Sequence, residues 1–378
     1  MAPVLPGATI GFLGGGQLGR MAAMAARSMG YDVQVLDPDP DCPARPIASR
    51  VITARLDDAD AAAELARGCD VITIEIEQIA VASIEAAARF APVRPNAAVL
   101  HVVQDRARQK DWLASRGFPV APYRTARSAG EVESAVAALG PSIAKTCTGG
   151  YDGRGQLRLA AADDGADAWR ALGADHLVVE RRIDIATELS VMVARRPGGQ
   201  TAVFPAALNH HDHGVLTWSV VPAPIDPALE RDAESLGRAV AESLGVEGLL
   251  AVEMFVTTDG ALLVNELAPR PHNTFHATER GCATSQFEQC VRAACDLPLG
   301  DPAVIAPAAI INLLGDVWLG AAPPDLTRAL QVPGVRLHLY GKRAARPGRK
   351  MGHLSAVGSS PDDAKRRVLD AYARLGGA

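Results

Sequence analysis

Lys145-Thr-Cys-Thr-Gly-Gly-Tyr-Asp-Gly-Arg-Gly-Gln156 packs glycines 149, 150, 153 and 155 around Tyr151, Asp152 and Arg154. Without a Cβ, such a segment can turn its N–H groups inward onto an anion, so it reads as a flap that folds over phosphates. Lys145 closes the short apolar run Ile143-Ala144 and is expected at a strand end, aiming a point charge into the same pocket. A glycine cluster can also be only a mobile hairpin turn. The weight comes from a second feature downstream.

That feature is a hairpin with two carboxylates. Leu249–Val256 and Ala261–Leu267 are apolar, strand-like runs around Thr257-Thr-Asp-Gly260, and Asp-Gly is a strong two-residue turn signal. A turn at Asp259-Gly260 sets Glu253 directly opposite Glu266, with Cβ atoms about 5 Å apart on one face. Like charges so placed repel, and magnesium, which prefers a few hard oxygen ligands beside water and phosphate, is the natural compensating cation. The alternative is an edge hairpin whose glutamates face solvent. Asn265 falls on the other face in ideal geometry, and its role depends on a local bulge.

A flap, a lysine before it and a paired-carboxylate hairpin resemble the ATP-grasp superfamily, whose two α+β lobes hold Mg-ATP between them. Five segments narrow the match: Gly14–Met21 (GGGQLGRM), Thr148–Gly155 (TGGYDGRG), Asn265–Asn273 (NELAPRPHN), Ser285–Glu288 (SQFE) and Arg346–His353 (RPGRKMGH). In this order, and spread over essentially the whole chain, they resemble the 5-(carboxyamino)imidazole ribonucleotide synthases of purine biosynthesis. The resemblance implies a ligase that joins bicarbonate to the amine of 5-aminoimidazole ribonucleotide while ATP is split to ADP and phosphate. A homodimer is implied by the family alone.

The 378 residues suffice for two or three domains, and 48% hydrophobic with 21% charged residues is ordinary for a globular protein. A net charge of −5 without a basic tail gives no sign of nucleic-acid or membrane attraction, so positive charge for an anionic ligand must be concentrated locally. No signal-peptide pattern and no run of about 18 apolar residues is present, which leads to the expectation of a cytoplasmic enzyme. The six cysteines form no CxxC pair and read as reduced thiols, Cys147 as a packed bystander.

Strand and helix signals alternate to about residue 100, predicting an α/β, doubly wound parallel sheet. The predicted domains are residues 1–118, Rossmann-like; 119–190, a small α+β lobe with the flap; 191–300, a larger lobe with the metal hairpin; and 301–378, a small β-rich C-terminal domain. Gly117–Pro122 and Leu297–Pro302 supply the loop signals between them. Gly14, Gly16 and Gly19 also satisfy GxGxxG between a strand and a helix, with Asp37 in the place of a ribose-binding acid. Alone that pattern says NAD-binding oxidoreductase, but a dehydrogenase has no use for the flap and hairpin.

The remaining assignments follow from the resemblance. Arg106 and Lys145 meet ATP phosphates, with the flap, Gly150, Tyr151, Asp152, Gly153, Arg154, Gly155 and Gln156, closing over them. The backbone of Glu180, Arg181, Arg182 and Ile183 reads adenine, Glu188 binds ribose, and Asn265 and Glu266 complete the nucleotide site, with Glu253 and Glu266 as metal ligands. His211 is the ATP-contacting histidine by alignment, although His210 and His213 stand beside it. Three imidazoles so close also raise zinc, but no cysteine accompanies them. Gln17, Leu18, Glu75 or Glu77, Tyr151, Arg270, His272 and Asn273 form the ribonucleotide site, with Lys342, Arg349 and Lys350 on its phosphate. Arg270 can alternatively be a structural arginine paired with a carboxylate. Asp152, Arg154 and Lys342 are the catalytic candidates: Asp152 to orient the amine, unless it is only a turn residue, and Arg154 to hold bicarbonate. The nearest rival is the formate-dependent glycinamide ribonucleotide transformylase, which shares the lobes and the hairpin, but the TGGYDGRG flap and Gln17 favour the aminoimidazole reading.

Overall fold

The computed structural model describes residues 2–150, 153–320 and 322–376. Tyr151 and Asp152, both assigned above, lie outside them. Short apolar runs punctuated by glycine form a five-stranded, all-parallel sheet in the order Arg50–Thr53, Asp32–Asp37, Thr9–Leu13, Val71–Ile74, Val93–Arg94. The chain winds outward from the central strand in one direction and then returns to its other side. Open α/β sheets bind ligands at such a switch point, and here the Gly14–Gly19 turn and Glu75 sit at it. The helix Gln17–Ser28 buries Met21, Ala22, Ala23 and Ala26 in a core shared with Phe287 and Val291 of the helix Gln286–Ala294, fixing this domain against the rest.

The small lobe is a four-stranded antiparallel sheet in the order Tyr123–Ala126, Leu177–Arg181, Ser142–Thr146, Gln156–Leu159. Helices Ala129–Leu139 and Gly165–Leu172 cover one face through Val132, Val136 and Ala168. Their caps are local: Ser128 accepts from the Glu131 N–H, a usual way to satisfy an orphan helix donor.

The third sheet departs from the predicted boundaries. Its nine strands run from Leu262–Ala268 through Gly248–Thr257, Ile185–Arg195, Ala207–Asp212, Val215–Val221, Ala308–Leu314 and Lys350–Val357 to Val335–Leu339, with Thr201–Val203 beside Ile185–Arg195. The expected division at 190/191 falls inside the strand Ile185–Arg195. The expected C-terminal domain is not a separate sheet, because Ala308–Leu314 pairs antiparallel with Val215–Val221. An open edge of unpaired N–H and C=O groups is a liability, and the C-terminal strands cover the one that Val215–Val221 would present. Leu297–Pro302 precedes the C-terminal strands, which continue the sheet of the large lobe.

The hairpin turn also differs in detail. Thr257 and Ala261 pair across a three-residue loop, Thr258–Gly260, with Gly260 at φ +86. This loop shifts the register by one residue, and a bulge at Asn265 shifts it back, so Glu253 does stand opposite Glu266. All six cysteines are free thiols. No helix among the described residues is long and apolar enough to cross a membrane.

Candidate active site

The flap joins two paired strands, Lys145 opposite Gln156, with Gly149, Gly153 and Gly155 at φ +74, +76 and +71. A Cβ on Gly153 would lie 2.6 Å from the His213 carbonyl, so the flap rests on the Asp212–Val215 turn of the large lobe. Arg154 and Gln156 are exposed there. Below it, Lys145 Nζ is 3.1 Å from Glu180 Oε1 and Lys110 Nζ is 3.3 Å from Glu180 Oε2, all three residues being buried. Burial alone would raise the Glu180 carboxyl, but the two ammonium groups outweigh it and hold it at about 2. Two cations on one carboxylate leave a positive surplus beneath the flap, which suits a polyphosphate. Glu180 therefore uses its side chain to hold lysines, a role its place in the sequence did not suggest. The Arg181 and Arg182 N–H groups donate to the Pro122 and Pro141 carbonyls, both at 2.8 Å. The Ile183 N–H takes no backbone partner among the described residues.

On the large sheet, strand alternation and pairing gather Glu188, Asn209, His211, Glu253 and Glu266. Ser190 stands opposite Glu253, and Glu188 opposite both Phe255 and Asn209. Burial, then Glu266, pushes the Glu253 carboxyl above its ordinary range, as expected of two carboxylates brought together. Burial opposes the protonation of His211, yet its hydrogen bond to Glu188 and the nearby Glu253 raise it above the usual imidazole value. The other histidines lie elsewhere: the His210 ring stacks on Trp218 at 5.1 Å, and His213 is exposed at the turn. Asn265 sits at the bulge beside the pair. Two hard carboxylate ligands brought face to face fit a divalent cation such as magnesium.

Arg106 spans the gap to the flap, donating from Nη1 to Glu266 Oε2 at 2.6 Å and from Nη2 to the Gly150 carbonyl at 3.0 Å. A cleft of about 270 Å³ opens here, lined among others by Glu77, Gln104, Arg106, Thr148, Gly150 and Glu266. The Gln104 amide donates to the Glu77 and Ile79 carbonyls and holds the cleft wall in place. Cys147 lines it too, but is buried and pushed up to about 12 by burial and Asp105.

On the far side of the carboxylate pair, Arg270 forms a two-pronged pair with Glu77, from Nη2 to Oε1 at 3.0 Å and from Nε to Oε2. Both are half-buried, and Arg270 holds the Glu77 carboxyl down against its desolvation. His272 Nε2 lies 3.4 Å from Glu253 Oε1, and its backbone is fixed by Gln286, which accepts from the His272 N–H and donates to its carbonyl. Burial and Arg270 keep the His272 imidazole neutral. Asn273 is buried, and neither its Nδ2 nor its Oδ1 finds a partner among the described residues, as expected of a group that awaits a ligand. Lys342 Nζ donates to Gln17 Oε1 at 2.8 Å and to the Lys350 carbonyl at 2.7 Å, tying the C-terminal cluster to the first glycine turn. Arg349 bonds the Ala344 carbonyl of its own loop, and the buried Leu18 side chain leaves only its backbone for a ligand.

Glu75 decides the fate of that turn. Its Oε2 accepts from the Gly19 N–H at 3.0 Å, and a Cβ on Gly16 would lie 2.3 Å from its Oε1. Asp37, the supposed ribose acid, accepts from the Gly15 N–H at 2.7 Å. The nest where a dinucleotide would place its pyrophosphate is occupied by the protein's own carboxylate. Lys110, Gln104 and Gln286 escaped the sequence reading: each is an ordinary polar residue on a helix or at a helix end, and its partner is remote in the chain.

Three family models match: the ribonucleotide synthetase preATP-grasp domain over residues 7–104, the ATP-grasp domain over 111–287 and the phosphoribosylaminoimidazole carboxylase C-terminal domain over 308–367. N5-carboxyaminoimidazole ribonucleotide synthase of Bacillus subtilis is 41% identical, covering 95% of this chain and 94% of that protein. A solved N5-carboxyaminoimidazole ribonucleotide synthetase in complex with ADP superposes at a TM-score of 0.92 with 40% identity, over 98% of this chain and 97% of the other. The Aspergillus clavatus synthase in complex with ADP and 5-aminoimidazole ribonucleotide superposes at 0.89 with 30% identity, over 97% and 98%.

Proposed function

Since the chain belongs to the N5-carboxyaminoimidazole ribonucleotide synthase family of ATP-grasp, ADP-forming carbon–nitrogen ligases, we propose that it joins bicarbonate to 5-aminoimidazole ribonucleotide in the seam described above. The observation that carries this reading is the continuity of that seam. From Lys145 and Lys110 beneath the flap, polar groups run through Arg106 and Glu266 to Glu253, His272, Arg270 and Glu77. A phosphoryl donor at one end and a ribonucleotide at the other would thus share one cleft.

A bicarbonate oxygen is a poor leaving group, so the reaction begins with its attack on the γ-phosphorus while the bond to the β-phosphate oxygen breaks. Lys145 and Arg106 spread the charge of the transferring group. Magnesium, held by carboxylate oxygens of Glu253 and Glu266, would supply charge neutralisation between the β- and γ-phosphates. Carboxyphosphate hydrolyses readily, and the flap resting on the Asp212–Val215 turn excludes water. The amine then attacks the carbonyl carbon, phosphate departs, and the amine proton leaves with phosphate or through Asp152. Arg270, braced by Glu77, and neutral His272 position the ribonucleotide. Lys342, with Arg349 and Lys350, holds its phosphate, and Gln17 orients Lys342. Ile183 offers its N–H to adenine, and Glu188, bonded to His211, takes the ATP ribose.

We likewise propose magnesium as the metal, bicarbonate as the carbon donor, a cytoplasmic location and a homodimer, the last on the family's behaviour. The test is ADP release measured with 5-aminoimidazole ribonucleotide or glycinamide ribonucleotide, each with bicarbonate or formate. Turnover should require the first amine and bicarbonate together, with one carboxylated product per ADP. Turnover with formate and glycinamide ribonucleotide instead would overturn the reading.

A further inference from the structure

A group of imidazoles lies outside the seam, where the C-terminal strands meet the helix Thr278–Gly281. His338 and His353 are direct partners across the strands Val335–Leu339 and Lys350–Val357, with ring centroids 4.8 Å apart and the rings edge to face. Glu279 reaches them from the helix, its Oε2 being 3.2 Å from His338 Nδ1. Glu279, His338 and His353 can each present one ligand atom with all three within 4.8 Å of one another.

A second observation points to a ligand. His353 is fully buried; its Nδ1 is 2.8 Å from the Tyr340 hydroxyl, and its Nε2 has no hydrogen-bond partner among the described residues. Leaving such a nitrogen unsatisfied is costly. Burial also holds His353 well below the usual imidazole value, so the ring is neutral at physiological pH and keeps a lone pair. In the tautomer whose Nδ1–H donates to the Tyr340 oxygen, that lone pair is on Nε2. A metal-bound histidine commonly has this arrangement, its second nitrogen donating to an oxygen. The Glu279 and His338 side chains, 35% and 28% exposed, leave the other side open to solvent.

We propose that Glu279, His338 and His353 bind a divalent ion of the zinc class, with water at the open fourth position. Two imidazoles, one carboxylate and an open position match a known zinc ligand set, and imidazole selects zinc, cobalt, nickel or copper over magnesium. Arg280 and Arg336 lie close to Glu279 and oppose a dication, so the affinity falls short of that of an all-protein structural zinc site. The ion would tie the helix Thr278–Gly281 to the strand pair that leads through Tyr340 to Lys342, apart from the Glu253–Glu266 pair.

Cobalt(II) titration of metal-stripped, tag-free protein tests this, with magnesium in excess to fill the carboxylate pair. One cobalt per chain should bind with the visible absorption of a four-coordinate nitrogen–oxygen site and no thiolate charge-transfer band. That band would report Cys147, which with Asp105 and His176 forms the other convergent group. His338→Gln and Glu279→Gln should each weaken binding roughly tenfold or more. Zinc should raise the thermal midpoint of the unsubstituted protein and leave that of the variants unmoved. Glu279 is exposed enough that Glu279→Gln carries the same readout even if His338→Gln does not fold. No four-coordinate spectrum, a thiolate band, or unchanged affinity in a folded variant would overturn the proposal.

Discussion

Glu180→Gln removes the one anion between two buried lysines while keeping the shape of the side chain. Depression of the carboxyl from its ordinary 4.5 to about 2 corresponds to about 3 kcal/mol of folding stability at neutral pH. Breaking a buried ion pair by removing one partner costs a similar amount, roughly 3–5 kcal/mol. Because the folded-state value is depressed, the stabilisation is complete above the unfolded value of 4.5 and is lost as pH falls toward 2. By that relation the gap between the two proteins should be about 3 kcal/mol at pH 7, somewhat smaller at pH 4 and about half at pH 3. Urea unfolding followed by tryptophan fluorescence at those pH values gives the gap directly. Equal stability at pH 7, or a gap that does not narrow on acidification, would refute the idea that Glu180 holds Lys145 and Lys110 as a charged cluster.

Three further outcomes test the seam. Glu253→Gln and Glu266→Gln should each abolish ATP cleavage with the thermal midpoint maintained, since relieving the repulsion of the pair offsets the lost contacts; full ADP release in either would remove the hairpin from the metal site. Lys342→Ala and Arg349→Ala should raise the Michaelis constant for the ribonucleotide roughly tenfold or more and leave that for ATP nearly unchanged, each contact to a charged group being worth about 1.5–3 kcal/mol; an unmoved ribonucleotide constant would make the C-terminal cluster a solvated surface. Asp152→Asn keeps size and turn propensity, so loss of product with retained binding of a non-hydrolysable ATP analogue would mark a chemical role, whereas near-normal turnover would mark a turn residue.

Local signals were legible where the chain settles matters within a few residues. The strand Asp32–Asp37 could be read from its apolar alternation, and the structure adds that Asp105 caps the helix Arg106–Ser115 by accepting from the Arg108 N–H. The facing of Glu253 and Glu266 was read from a two-residue turn, although two departures that cancel produce it: a three-residue loop and the bulge at Asn265. Alternation separates His210 from His211, but it cannot say which face is inward. Pairing with Ile185–Arg195 decides that, and it puts His211 on Glu188 and His210 on Trp218. Partners far apart in sequence were invisible for the same reason. Lys110 meets Glu180, and Glu77 meets Arg270, only after three sheets have been assembled. The joining of C-terminal strands to the large sheet is likewise a property of backbone edges, which composition does not record.

The glycine turn at residues 14–19 shows how one motif can take either of two chemistries. Strand, GxGxxG, helix and a distant acid are all present, and three glycines leave room for close approach to the backbone. In a dinucleotide site that room and the N–H groups belong to pyrophosphate. Here Glu75, one residue beyond the strand Val71–Ile74, enters the same room and takes the Gly19 N–H, while Gly15 is committed to Asp37. Burial pushes the Glu75 carboxyl upward, and the surrounding N–H groups pull it back only in part. A second anion in the nest would face that carboxylate in a low dielectric, where repulsion is large. A neutral group that can donate a hydrogen bond, such as a sugar hydroxyl, meets no such penalty. The turn is therefore suited to a neutral donor such as the sugar of a ribonucleotide, and Gln17 of the same turn already holds Lys342, the proposed phosphate ligand.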